Sequence, residues 1–278
     1  MTDGVKHFLL TRFNVAAPGR EEAIRLRPGW LDGRFNLFSE YCLPSVSAQT
    51  RQDFEWIVFF DDQTPEKYRR LIFELQGVYP FRAEFTAFFE MNKIVPQLVS
   101  AGEGAEWLLT TRLDSDDILA VDHMARLRDV VSLRRPRVIN FSDGLILSIA
   151  DAQPRLYSVR DDANPFASLM ETMGRDVRTI WGEKHVDIER LAPIEQVGGA
   201  PAWMQIVHGA NVSNRIKGRR VRLDSFCDVF PYLKHLSESV AESGAEIRRE
   251  NSVILPMRQA KESLRRIAKT VYYAAMKS

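Results

Sequence analysis

Apolar residues gather and then give way to polar ones at three places in the first half of the chain. These are residues 6–15, residues 56–60 running into Asp61, Asp62, Gln63, Thr64 and Pro65, and residues 106–113 running into Asp114, Ser115, Asp116 and Asp117. Each run predicts a buried strand that opens into a polar loop. Between the first two, Leu31, Phe35, Phe38, Tyr41, Cys42 and Val46 recur near helical spacing, which predicts a helix over 30–49, kinked or broken at Pro44. Thr64 ahead of Pro65 and Glu66 reads as an N-cap for a helix over 65–76. A short strand over 81–86, a helix over 91–101 and a helix capped by Asp122 and running to about residue 134 complete that half.

Strands alternating with helices imply an α/β fold with a mostly parallel central sheet covered by helices on both faces. In such sheets ligands collect beyond the carboxyl ends of the strands. Three of those ends carry polar residues here: Arg12 with Asn14, Asp61 with Asp62, and the run from Asp114 to Asp117. The second half is less regular. Residues 137–141 and 144–149 read as a hairpin turning at Ser142 and Asp143, 165–173 and 224–236 as helices, and Gly198, Gly199 and Gly209 as loop positions. No repeat or low-complexity linker marks a second domain, so the expected division is one domain over 1–255 and a basic amphipathic helix over 256–278. That helix sets Leu264, Ile267, Val271 and Tyr272 against Arg258, Lys261, Arg265, Arg266, Lys269 and Lys277. It suits a membrane surface, or packing on its own domain or on a partner.

Composition narrows the classes. With 278 residues, 45% of them hydrophobic, the chain can bury a substantial core. Its 38 Lys and Arg nearly cancel 37 Asp and Glu, so bulk charge gives no reason to expect a nucleic-acid partner. Cys42 and Cys227 form no CxxC pair and suit a reducing compartment as two packed thiols. The first residues lack a signal-peptide pattern, and nothing approaches the roughly 20 apolar residues of a membrane span. The expected location is cytoplasmic.

The densest chemistry lies in TTRLDSDDIL, where Asp114, Asp116 and Asp117 fall within four positions after an apolar strand. Like charges this close cost free energy unless a cation or strong donors neutralise them. In extended chain Asp114 and Asp116 point to the same side, and oxygen ligands favour Mg2+ or Mn2+ over zinc. The other reading is an acidic turn whose carboxylates cap backbone N–H groups and face solvent.

A strand, then D-x-D-D, then a helix resembles the DxD region of GT-A glycosyltransferases. With HFLLTRFNV, RFNLFSEYCLPSVSAQT, FEWIVFFDDQTP and WMQIVHGANVSN, the chain resembles the rhamnosyltransferase family of bacteria over roughly residues 5–214. The resemblance implies a GT-A-like fold with a Rossmann-like nucleotide-binding half and a nucleotide-diphosphate sugar donor. It also implies a metal bridging the two phosphates, and transfer to a hydroxyl of a glycan or lipid-linked acceptor at the inner face of the cell membrane. It implies Asp114 near the ribose and Asp116 and Asp117 near the metal, with His208 as a third metal ligand or else a hydrogen-bonded structural histidine. Asp61 or Asp62 would meet the base or ribose, or cap the following helix instead; Arg12, Asn14 and Arg112 complete the donor side. Asp187 and His185 are the candidate bases for the acceptor hydroxyl, the alternative being solvated surface charge. Trp181 and Trp203 either stack on a sugar or pack in the core. Two other classes stay open: a Mg2+-dependent haloacid-dehalogenase-like phosphohydrolase, and a nucleotide-sugar or carbohydrate-binding protein without turnover.

Overall fold

The computed structural model describes residues 4–16, 20–131, 135–151, 153–208 and 215–261. The strands are β1 (Val5–Arg12), β2 (Glu55–Asp61), β3 (Arg82–Thr86), β4 (Trp107–Arg112), β5 (Ile118–Leu119), β6 (Arg137–Phe141), β7 (Asp143–Ser148), β8 (Arg155–Arg160), β9 (Ser168–Thr172), β10 (Ile194–Val197), β11 (Trp203–Val207) and β12 (Arg219–Val221). The α-helices are α1 (Arg20–Arg25), α2 (Trp30–Leu37), α3 (Leu43–Ser47), α4 (Glu66–Val78), α5 (Met91–Ala101), α6 (His123–Val130), α7 (Tyr232–Ser239) and α8 (Gly244–Arg249). Contacts divide the chain into two compact units, Met1–Gly144 with Arg160–Ile206 and Leu145–Val159 with Val207–Ser278.

The first unit holds a seven-stranded sheet in the order β10-β6-β9-β4-β1-β2-β3. β1 pairs in parallel with β2 and β4, β2 with β3, and β6 with β10; β9 alone runs antiparallel, between β4 and β6. The class is therefore the expected one, α/β with a mostly parallel sheet. Strand alternation assigns the faces. Ile57 and Phe59 join Phe8, Leu10 and Leu108 in a core that Ile94 and Leu98 of α5 cover. Their neighbours Trp56 and Phe60 point the other way, where Phe38 lies 5.5 Å from the Trp56 ring and Phe13 lies 4.9 Å from Phe60. Burying a Leu or Phe side chain contributes roughly 1.5–3 kcal/mol. Phe8, Leu9 and Leu10 are fully buried, which is why β1 reads as an unbroken apolar run.

The break foreseen at Pro44 is a π-turn. Between α2 and α3 the chain widens over Phe38–Cys42, and Leu43 N–H donates to Phe38 O. Pro44 then sits in the first turn of α3, where its missing N–H is not needed.

Four local expectations are corrected. Residues 165–173 hold no helix but the strand β9 at Ser168–Thr172: Ser168, Leu169 and Met170 are buried on both faces between β4 and β6 and so show no periodicity. Residues 137–141 and 144–149 do not pair as a hairpin. β6 pairs with β9 and β10, whereas β7 belongs to a different sheet, in the order β12-β8-β7-β11-β5. Ser142 N–H donates to Val197 O instead of closing a turn. Residues 224–236 are split into a 3-10 turn, Leu223–Phe226, and α7, with Pro231 at the break. Thr64 is no helix cap: α4 has Pro65 at its N-cap, and the Thr64 hydroxyl donates 2.6 Å to Asp61 O.

In the second unit β12 pairs antiparallel with β8, Arg220 opposite Tyr157. The buried Arg220 guanidinium donates 2.9 Å to Glu250, whose other oxygen accepts from the Tyr157 hydroxyl at 2.7 Å and from Arg258 at 2.9 Å. The boundary foreseen at residue 255 falls inside this unit, and helical backbone continues to Lys261. Residues 262–278 of the foreseen basic helix lie outside the described residues. No described helix is long and apolar enough to cross a membrane.

Candidate donor site

Because β1, β2 and β4 are parallel, their carboxyl ends share one edge of the sheet. Backbone bonds just past the strands keep that edge in register: Phe13 N–H donates to Phe59 O at 2.9 Å and Leu113 N–H to Leu10 O at 3.2 Å. Asn14, Asp61 and the turn after Arg112 therefore leave the sheet side by side.

At the ends of β1 and β2, Asp61 is 6% exposed and fully engaged. One carboxylate oxygen accepts Gln63 N–H at 2.7 Å, and the other is paired with Arg25, the last residue of α1. Asn14 bridges the two strands, its side-chain oxygen accepting Asp61 N–H at 3.0 Å and its amide donating to the Thr64 hydroxyl at 3.1 Å. Asp62 points outward, exposed, with Gln63 Nε2 donating to it at 3.1 Å. Of the two adjacent carboxylates, one is thus fixed in the edge and the other is free to solvent.

After β4 the three carboxylates of the acidic turn part company. Asp114 stays partly exposed and is gripped by Arg112, with Nη2 3.2 Å from each carboxylate oxygen. Asp116, 6% exposed, is paired with Arg34 of α2 at 2.8 Å. Gly29 enters α2 with φ 76, a left-handed conformation that favours glycine, and so sets the direction of the helix that carries Arg34. Asp117, 1% exposed, accepts Ile206 N–H at 2.9 Å and so ties the turn to β11. Burial, with the charges of Asp116 and Asp114 beside it, raises its carboxyl well above the usual range. Cys42, whose Sγ lies 3.9 Å from Asp114 O, is raised by its own burial and by the charges of Asp117, Asp116 and Asp114. Neither solvated acidic turn nor three-carboxylate cage describes this arrangement. Among the described residues no group of three or more His, Cys, Asp or Glu is placed to hold a metal ion.

The Arg112 guanidinium also sits over Trp181, its Cζ 3.9 Å from the ring centroid, and Arg12 lies over the same ring at 5.8 Å. Trp181 is half-buried, with Phe89 edge-on at 4.9 Å and its indole N–H donating to Leu10 O at 3.3 Å. Trp203, in contrast, is a core residue. It stacks on Phe166 at 4.7 Å, donates to Phe141 O at 2.7 Å, and leaves no room for any side chain at Gly144.

Asp187 and His185 lie between Ile180 and Ile188, two residues of a separate apolar cluster. Asp187 pairs with Arg190 at 3.4 Å, and His185 is half-buried. His208 belongs to the second unit, and the residues after it, 209–214, lie outside the described residues. Sequence reasoning missed Arg25 and Arg34, because nothing in a helix's own pattern reveals which carboxylate it will meet across the fold.

Residues 6–220 match the family model described as "Putative rhamnosyl transferase". No curated protein sequence matches the chain. Among solved structures, the chain is similar to S. aureus TarS 1–349 in complex with UDP-GlcNAc, at 11% identity and a TM-score of 0.43 over 87% of this chain and 69% of that one. It is similar to the inositol-1-phosphate CTP transferase from T. maritima at 13% identity and a TM-score of 0.36, over 87% and 100%. With the mannosyltransferase PcManGT from Pyrobaculum calidifontis, in complex with GDP-Man and Mn2+, the identity is 11% and the TM-score 0.28, over 52% and 36%. All three likenesses are distant.

Proposed function

The chain belongs to the putative rhamnosyl transferase family and is a glycosyltransferase, and from that premise we propose that its fold is GT-A-like and that it moves a sugar, rhamnose by the family's description, from a nucleoside-diphosphate donor to a hydroxyl of a glycan or lipid-linked acceptor in cell-surface polysaccharide synthesis. The observation that carries this reading is the pair formed by Arg112 and Asp114 at the carboxyl end of β4, with Asp116 two residues on and Arg12 over the same indole. Cationic and anionic groups fixed at one edge are what a metal-bound diphosphate requires.

The donor set fits Mg2+ or Mn2+. Mg2+ usually takes only one or two protein carboxylates and completes its shell with substrate phosphates and water, so Asp114 and Asp116 suffice without a cage. Bound there, the ion would neutralise charge on the departing diphosphate. Arg112 and Arg12 would bind the phosphate oxygens as charge-assisted donors. Asp61, held rigid by Asn14 and Arg25, or its exposed neighbour Asp62, would meet the nucleoside. Asp117 supports the turn through Ile206.

In the transfer, the acceptor oxygen bonds the anomeric carbon while the carbon–oxygen bond to the diphosphate breaks, and the electron pair leaves with the diphosphate. Asp187 or His185 would take the acceptor proton. The basic residues of 256–278 would bring the enzyme to anionic lipid at the inner face of the membrane; co-sedimentation of the full chain with anionic vesicles, lost when Arg265, Arg266, Lys269 and Lys277 are changed to Gln, checks this.

The test is incubation with a panel of nucleotide sugars and Mg2+ or Mn2+, following release of nucleoside diphosphate. Release that disappears in Asp116→Ala supports the reading. Donor binding without release would replace it with a binding protein, and inorganic phosphate released from simple esters would replace it with a phosphohydrolase.

A further inference from the structure

The backbone just before Trp181 is strained. Thr179 is buried and sits at φ 63, ψ 162, and among the described residues it alone has positive φ without being glycine. A β-branched residue in that region is a true outlier and persists only when its surroundings over-determine it. The surroundings here do. Both oxygens of Glu171 on β9 accept from this turn, from Arg178 N–H and Thr179 N–H at 2.9 Å each. Ile180 N–H donates 2.9 Å to the Thr110 hydroxyl on β4, and Trp181 N–H donates 3.2 Å to the Thr179 hydroxyl. Two central strands thus clamp a costly conformation.

What the clamp achieves is the placement of one indole. Its far edge is anchored on Leu10 O at the end of β1, and its face carries the Arg112 guanidinium. Arg112 spends Nε and Nη2 on Asp114, while Nη1 has no hydrogen bond to a described residue. A guanidinium that sits over the indole and spends Nε and Nη2 on one carboxylate has Nη1 left to donate.

We propose that Trp181 is a positioning residue: held by the strained Thr179 turn, its ring supports Arg112 so that Nη1 meets a phosphate oxygen of the nucleoside-diphosphate donor. This rests on the donor-site reading above. It adds that the strength of the diphosphate contact is set by a residue that never touches the diphosphate.

The experiment measures the affinities of dTDP, UDP and GDP, and of the matching nucleosides, with Mg2+ present, for the full chain and for Arg112→Ala, Trp181→Leu, Trp181→Phe and the Arg112→Ala/Trp181→Leu double variant. Arg112→Ala should weaken the preferred diphosphate roughly tenfold or more, as expected for one lost charge-assisted contact. Trp181→Leu should weaken it about fivefold, the scale of a cation–π contact, with nucleoside affinity unchanged. Trp181→Phe, which keeps an aromatic face, should recover most of that loss, and in the double variant the loss at Trp181 should shrink well below fivefold, to the share carried by the more distant Arg12. Trp181→Leu losses that are equal for nucleoside and diphosphate, or that add in full to those of Arg112→Ala, would overturn the positioning role and leave a merely structural indole. A wild-type chain that binds none of the three diphosphates overturns the donor-site reading, and this inference with it.

Discussion

Arg34 Nη1 lies 2.8 Å from Asp116 Oδ2, so the middle carboxylate of the acidic turn is neutralised by an arginine from another element. An ion arriving at Asp116 has to share that carboxylate with a guanidinium. Removing the arginine leaves a buried charge beside two others, which should cost about 1–3 kcal/mol because the pair is partly open to solvent. Arg34→Gln is therefore expected to melt several degrees below wild type in EDTA, at roughly 2–4 °C per kcal/mol for a chain of this size. Adding Mg2+ should raise the variant's melting temperature more than the wild type's. Equal shifts would mean that no ion approaches Asp116.

Asp117 makes the opposite kind of contribution. Its folded-state carboxyl is raised above the usual 3.8 by burial and by Asp116 and Asp114. A group raised in this way holds its proton longer folded than unfolded, so stability is lost as pH climbs from about 3.8 through the folded value. Asp117→Asn keeps an oxygen for Ile206 N–H and has no charge to bury. Its melting temperature relative to wild type should therefore be higher at pH 8 than at pH 4.5. Asp117→Ala, which orphans that N–H, should cost about 1–3 kcal/mol at either pH.

Two buried histidines act from the acid side. Burial, with the Arg128 charge nearby, holds His7 down to about 3; burial holds His123 down to about 4. Both stay neutral while the unfolded chain takes up protons near 6.5, so stability falls as pH drops below about 6.5 toward those folded values. His7 bonds Thr111 Oγ1 at 2.9 Å and His123 bonds Ala202 O at 2.9 Å. Denaturation midpoints at pH 7.5 and 5 should differ less in a His7→Gln/His123→Gln double variant than in wild type, although the variant is less stable at both.

Most of the sheet was legible because its central strands are buried on both faces and end abruptly in polar residues. β1, β2 and β4 announce themselves in this way, and so does the edge they share. β9 did not: Ser168, Leu169 and Met170 are equally buried, but the run is short and a helix segment can look the same. The pairing of β6 with β9 and β10 was illegible for another reason, since nothing in two adjacent extended runs says that they join different sheets. At the site, the residue types at the strand ends could be read, but their partners could not. That Asp114 goes to Arg112, Asp116 to Arg34 and Asp117 to the β11 backbone is a tertiary fact. The strain at Thr179 is invisible in a sequence where threonine usually signals extended chain or a cap.

The claim on which the account rests is that Asp114 and Asp116 jointly hold a divalent ion on the donor's diphosphate. Titration of the preferred nucleoside diphosphate into wild type, Asp114→Asn and Asp116→Asn, each with Mg2+ and with EDTA, tests it most directly. Mg2+ is expected to tighten binding to wild type by tenfold or more, and each substitution to abolish most of this gain. A gain of the same size in both variants would contradict it.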